Sequence, residues 1–192
     1  MVVDRLCDHP ATAVRVAARL WEHLVGVPPS DQEAQDLGRW WQDQDLEIKP
    51  LVERILRTQS FADNRLSRPK SGLEWFCGVK SATGFEDEIW YLNDLGQMPY
   101  LPPNVSGWPT DRWLNPGSML SRARFVHSVD LRPGIGTGSS IAEILDRCSL
   151  HEVSAATIAA LEAVADTPDI DPKTVQLVRW RLALSSPEFQ LL

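Results

Sequence analysis

Between Gly96 and Asn115 the chain reads G-Q-M-P-Y-L-P-P-N-V-S-G-W-P-T-D-R-W-L-N. Tyr100, Trp108 and Trp113 supply aromatic faces here, and Asn104, Ser106, Asp111 and Asn115 supply hydrogen-bonding groups. Flat rings flanked by amides, a hydroxyl and a carboxylate suit sugars and other amphipathic ligands. Just beyond, Arg122, Arg124 and His127 offer positive charge to an anionic group beside the loop. A structural reading of the same residues carries more weight. In it the four prolines of the segment stiffen a strap whose tryptophans plug gaps between helices. Asn104 and Asn115 then turn or cap the backbone. On that reading the Trp108 indole is worth the ~3–5 kcal/mol typical of a buried aromatic. The three cations then pair with Asp130 or Asp111, or face water, and such exposed pairs contribute only ~0–1 kcal/mol.

Other reactive residue types are scattered. His9, His23, His127 and His151 show no ligand spacing such as H-E-x-x-H. Asp8-His9 reads as a helix cap, His23 as solvated, and His151-Glu152 as an ordinary helix start. Ser106 precedes Gly107, but N-V-S-G-W is not the G-x-S-x-G elbow. A triad assembled from distant residues stays open, because triads are recognised by geometry. The G-I-G-T-G of 134–138 lacks a P-loop lysine and reads as a flexible link. Asp87 and Glu88 are helix N-terminal charges. Cys7, Cys77 and Cys148 are odd in number and far apart. They read as small apolar core residues, with a disulfide between two of them left open. No metal or cofactor is signalled.

Helices must position these groups. Residues 11–25 set Val14, Ala17, Leu20, Trp21, Leu24 and Val25 on one face. Asp8 or His9 caps this helix, Pro10 suits its first turn, and Gly26, Pro28 and Pro29 end it. Ser30 opens a second helix, Glu33 completes a capping box, and Ala34, Leu37 and Trp41 face inward, with Trp40 beside them. A third helix covers 46–58, faced by Ile48, Leu51, Val52, Ile55 and Leu56. Pro50 is tolerable only near its first turn, and Phe61 follows as a plug. A fourth spans 70–82 with Leu73, Phe76 and Val79 inward, and a fifth spans 86–95 with Ile89, Leu92 and Leu95, stopped by Gly96. Asn115-Pro116 opens a sixth helix to about 129, on which Leu120, Ala123 and Val126 or His127 share a face. Shorter helices follow near 140–148, 154–165 and 172–185. Ser154 caps the second of these and Asp171-Pro172 starts the third, lined by Val175, Val178 and Leu182. Residues 51–61 and 177–189 echo one another, each an amphipathic helix closed by small polar residues and a phenylalanine, but the alignment needs a gap and no repeat is claimed. No stretch alternates with period two.

Composition bounds the answer. The chain has 192 residues, 43% hydrophobic and 23% charged, which fits one soluble globular domain or a domain with a small satellite. Its formal charge is −7, and no basic stripe matches a nucleic-acid footprint. Eight tryptophans are many for this length. Each buries a large surface and wants a partner for its indole N–H. No apolar run reaches the ~18 residues needed to cross a bilayer. The first residues lack a signal-peptide core, so the chain as written reads as cytoplasmic.

Several pieces, in this order, resemble one bacterial family, catalogued as domain of unknown function 1800. They are H-P-A-T-A-V-R-V-A-A-R-L-W (9–21), the helix ending at Phe61, K-S-G-L-E-W-F (70–76), L-G-Q-M-P-Y-L-P-P-N-V-S-G-W-P (95–109), W-L-N (113–115) and S-S-P-E-F-Q (185–190). The P-P-N-V-x-G-W-P string is the specific one. The resemblance implies a longer parent, since the chain is similar to the C-terminal portion of family members. It also implies export for many members and a sulfatase-like partner family encoded alongside. It supplies no catalytic residue.

The expected fold is all-α, an orthogonal multi-helix domain with one long Pro/Trp-rich loop and a small C-terminal helical satellite. Residues 1–132 form the main domain, 133–139 a Gly-rich link, and 140–192 a helical segment packing on the main domain. The expected role is a binding or assembly module acting with a protein partner or a second copy. The alternative is a hydrolase-type or carbohydrate-active domain with its site around residues 98–127.

Overall fold

The computed structural model describes residues 1–86, 89–108, 113–128 and 138–192. Among these, every regular element is a helix, and the one β-type pairing is an isolated bridge from Pro69 to Leu191. The fold is all-α. The described residues group into two compact units, Met1–Arg68 with Leu192, and Pro69–Leu191. Residues 140–191 therefore share a unit with 69–128, and the boundary falls at Arg68/Pro69. Residues 133–137 of the expected link lie outside the described residues.

The first unit holds α1 (Val2–Cys7), α2 (Pro10–Val25), α3 (Asp31–Gln42), α4 (Ile48–Leu56) and α5 (Gln59–Asp63). Helix α2 starts where His9 Nδ1 accepts the Ala11 N–H at 3.2 Å, and it ends at Gly26 with φ +88°. Helix α3 starts with the expected capping box between Ser30 and Glu33. Ala13, Ala17, Trp21, Val25, Leu37, Trp41, Leu51 and Ile55 form the core. Small residues set how closely α2 and α3 approach. A Cβ on Gly38 would lie 2.5 Å from Val14 Cα. Proline 50 does sit in the first turn of α4, but only Leu51 and Ile55 of the expected face are buried, while Ile48 and Leu56 are exposed. Phe61, expected as a plug, is 37% exposed. The Thr58 hydroxyl accepts the Phe61 N–H and starts α5, so the chain restarts a helix instead of folding the ring back.

The second unit holds α6 (Gly72–Thr83), α7 (Tyr91–Asp94), α8 (Pro116–Ser128), α9 (Ile141–Arg147), α10 (Ala155–Ala163) with a 3₁₀ turn at Val164–Asp166, α11 (Pro172–Ser185) and α12 (Pro187–Gln190). Its core centres on Phe125. That ring meets Tyr91, Phe85, Phe76 and Trp75 at centroid distances of 4.8, 5.2, 5.6 and 5.6 Å, edge-on or tilted as ring quadrupoles prefer. Several expected faces hold only in part: Phe76, Val79 and Val126 are buried as expected, but other members are not. In α6 Leu73 is exposed while Trp75, Phe76 and Val79 are buried. In α8 Leu120 is exposed while Arg122, Phe125 and Val126 are buried. In α11 Leu182 is exposed while Trp180, Ala183 and Leu184 are buried. Each of these helices carries apolar residues on more than one side, so spacing alone left the phase open and the bulkiest aromatic set it.

Two further expectations are corrected. The fifth helix shrinks to the single turn α7, with Ile89 and Trp90 exposed ahead of it and Asp87 and Glu88 outside the described residues. Cys7 and Cys77 are exposed, and only Cys148 is a core residue. Cys7 ends α1, a helix that buries nothing, and Cys77 lies on the outer face of α6. The indole rule also bends. Trp41 donates to the Glu47 carbonyl at 2.8 Å, yet the buried N–H groups of Trp21, Trp75 and Trp180 have no partner among the described residues.

Candidate functional site

The loop after α7 is pinned at both ends. At its start the Gln97 N–H donates to the Leu92 carbonyl at 2.8 Å, and the Gln97 side chain accepts from the Leu73 N–H at 2.8 Å. A Cβ on Gly72 would meet the Leu95 carbonyl at 2.7 Å, so α6 and this loop entry pack backbone to backbone. At the far end Trp113 is buried, and Asn115 caps α8. The Asn115 carboxamide oxygen accepts the Ser118 N–H at 3.0 Å, while the Ser118 hydroxyl accepts the Asn115 N–H at 3.2 Å. That hydroxyl also lies 2.9 Å from the Trp113 carbonyl, tying the buried ring to the helix start.

Beside these anchors lies an open cavity of about 490 Å³. Trp108, Trp113, Met98, Leu101 and Pro103 give it apolar walls, and Asn93, Asp94, Asn115, Ser118 and Ser121 give it polar ones. A second cavity of about 380 Å³ shares Asp94 and Ser121 with the first, and adds Tyr91, Arg124, Phe125 and Ser128. The two read as one groove running along α8. Its volume lies within the usual ligand-pocket range of ~300–1,000 Å³.

The sequence-derived residues divide three ways. Trp108, Trp113 and Asn115 line the first cavity, and Arg124 lines the second. Tyr100, Asn104 and Ser106 sit outside both. Asn104 makes a local turn, its side-chain oxygen accepting the Ser106 N–H at 2.8 Å. Arg122 and His127 do not join Arg124. His127 is exposed, and its carbonyl accepts from Arg181 at 2.7 Å. Arg122 is 2% exposed, and its guanidinium donates to the Gln190 side chain at 3.0 Å and to the Lys70 carbonyl at 2.6 Å. It also lies 5.5 Å from the Trp75 ring. Burial pulls its pKa down to about 10, so it is still charged at neutral pH. Arg122 is thus a tie between chain segments, with no opening to a ligand. Asp111 and Asp130, considered as its partners, lie outside the described residues.

Sequence reasoning passed over Asn93, Asp94, Met98, Leu101, Ser118 and Ser121. Asn93-Asp94 ahead of Gly96 was the available signal, an adjacent polar pair at the mouth of an irregular segment. It looks like any solvated helix end. Elsewhere, among the described residues, no group of three His, Cys, Asp or Glu is placed to hold a metal ion. No helix among them is long and apolar enough to cross a membrane.

Comparison with known proteins gives one finding. The profile of a family described as "Protein of unknown function (DUF1800)" matches residues 1–191. No curated protein and no solved structure matches the chain.

Proposed function

The chain belongs to the DUF1800 family, and from that premise we propose that it is a non-enzymatic binding module that docks on a partner protein through the loop at 97–108. One observation carries the reading. Tyr100 is 96% exposed, Leu101 is 70% exposed and Val105 is fully exposed, within a few residues of each other. Apolar side chains gathered at the surface in this way mark interaction sites. The backbone strengthens the argument. Tyr100 sits at φ +65°, a region costly for a residue with a Cβ, and its ring stabilises nothing in the fold. Local turns shape the tip, with the Leu101 N–H donating to the Met98 carbonyl at 3.2 Å and the Gly107 N–H to the Asn104 carbonyl at 3.1 Å, which limits the ordering entropy that docking would otherwise cost.

The occupant we favour is the sulfatase-like protein implied as a genomic neighbour of the family. Co-expression followed by size-exclusion chromatography with light scattering tests this. The two chains should co-elute, and Tyr100→Ser combined with Leu101→Ser and Val105→Ser should abolish the complex while leaving the melting temperature unchanged. Separate elution of the wild-type proteins sinks the reading. A self-association that the triple substitution removes would reassign the loop to a second copy of this chain.

A further inference from the structure

We infer that the groove formed by the two adjoining cavities along α8 is a binding site for a neutral oligosaccharide of two or three rings. This goes beyond the protein docking proposed above and does not rest on it, because the lining of the groove carries it. Asn115 and Ser118 cap α8 and satisfy each other. The side chains of Asn93, Asp94, Ser121 and Arg124 have no partner among the described residues, and all four line the groove. An amide, a carboxylate and a hydroxyl thus line the first cavity, and the same carboxylate and hydroxyl with a guanidinium line the second, their hydrogen-bonding capacity unspent on the described residues.

The mix of charge selects the ligand. Asp94 lines both cavities and repels an anion drawn by Arg124, and Arg124 lines the second and repels a cation drawn by Asp94. A lone ion of either sign is therefore poorly served. Sugar hydroxyls both donate and accept, so one ring can give a hydrogen bond to the Asp94 carboxylate and take one from the Arg124 guanidinium. The apolar part of the lining fits as well. The half-buried Trp108 indole, with Met98, Leu101 and Pro103, offers the flat apolar surface that C–H faces of a pyranose cover. Two cavities that share Asp94 and Ser121 describe an elongated ligand. Asp94 is the one carboxylate among the described lining residues, and it faces both cavities.

Titration of the ¹⁵N-labelled chain with cellotriose, laminaritriose, chitotriose, maltotriose, mannotriose and xylotriose tests the inference. At least one trisaccharide should shift the Trp108 indole resonance saturably, the resonance being assigned with Trp108→Phe. Asp94→Ala should weaken that sugar by about ten-fold or more. Asp94 is exposed, so this variant should melt as the wild type does. The inference is overturned if no member of the panel moves the resonance at concentrations up to about 10 mM, or if Asp94→Ala binds as tightly as the wild type. Either result leaves the co-elution experiment above unaffected, since Asp94 is not part of the exposed loop tip.

Discussion

Glu188 shows how far a single side chain can act away from the groove. It is buried on α12, and its carboxylate accepts the Ser154 N–H at 2.9 Å and the Thr157 hydroxyl at 3.0 Å. It therefore sits at the N-terminus of α10, where the unpaired N–H groups favour negative charge. Burial alone would raise its pKa, but the hydrogen bonds from Ser154 and Thr157 outweigh it and hold the group down at about 2. A carboxylate depressed in the folded state stabilises the fold above its unfolded pKa and loses that contribution as pH falls through the folded one. The window is thus from about 4.5, the ordinary value, down to about 2. Glu188→Gln should lower stability at pH 7 by about 1.5–3 kcal/mol. It should also flatten the acid limb of a denaturation series across that window. A variant as acid-sensitive as the wild type would show that the proton goes elsewhere. The two echoing phenylalanines make the same point about context. Phe189 is 1% exposed and lies edge-on to Trp75 at 6.4 Å, while Phe61 faces solvent. Similar local sequence met different surroundings.

At the scale of elements, helix starts were legible and helix faces were not. Ser30, Ser154 and Asp171 cap where their types and spacing say they should. Ser71 and Ser140 add capping boxes with Glu74 and Glu143. A cap is a local hydrogen bond, complete within four residues, so the sequence contains all of it. A buried face is a choice among several apolar stripes, and it depends on what packs opposite. The α2–α3 contact is the sharpest instance. Gly38→Ala would raise intrinsic helix propensity by about 1 kcal/mol. However, the added methyl would meet Val14 Cα at 2.5 Å and Val14 N at 2.7 Å, both backbone atoms that cannot swing aside. Overpacking costs about 1–3 kcal/mol, so the substitution should lower the thermal midpoint. A raised midpoint would mean that the two helices part without penalty.

At the scale of the whole molecule, the two chain ends contribute unequally. Helix α1 buries no residue, and its apolar side chains face solvent. The last residues do the opposite. Glu188, Phe189 and Gln190 are all buried, the Lys70 N–H donates to the Gln190 carbonyl at 2.8 Å, and Arg122 clasps both residues. Removing 1–7 should leave the melting curve nearly unchanged. Removing 187–192 should abolish the cooperative transition of the second unit, followed by near-ultraviolet circular dichroism. The reverse ranking would overturn this account of the core. The sequence by itself determined that the chain is helical, where most helices begin, that the long Pro/Trp segment is irregular, and which family carries that segment. Those features are set within a few residues, by caps, breakers and the absence of alternation. Only the tertiary structure decided that Arg122 turns inward and Arg124 outward, that Trp113 is buried while Trp108 is half-buried on the same cavity, and that Asp94 joins them. Neighbours on one helix and rings five residues apart look alike in sequence. Their roles separate only when distant segments, 70, 94 and 190 among them, fold against α8 and leave some side chains covered and others open.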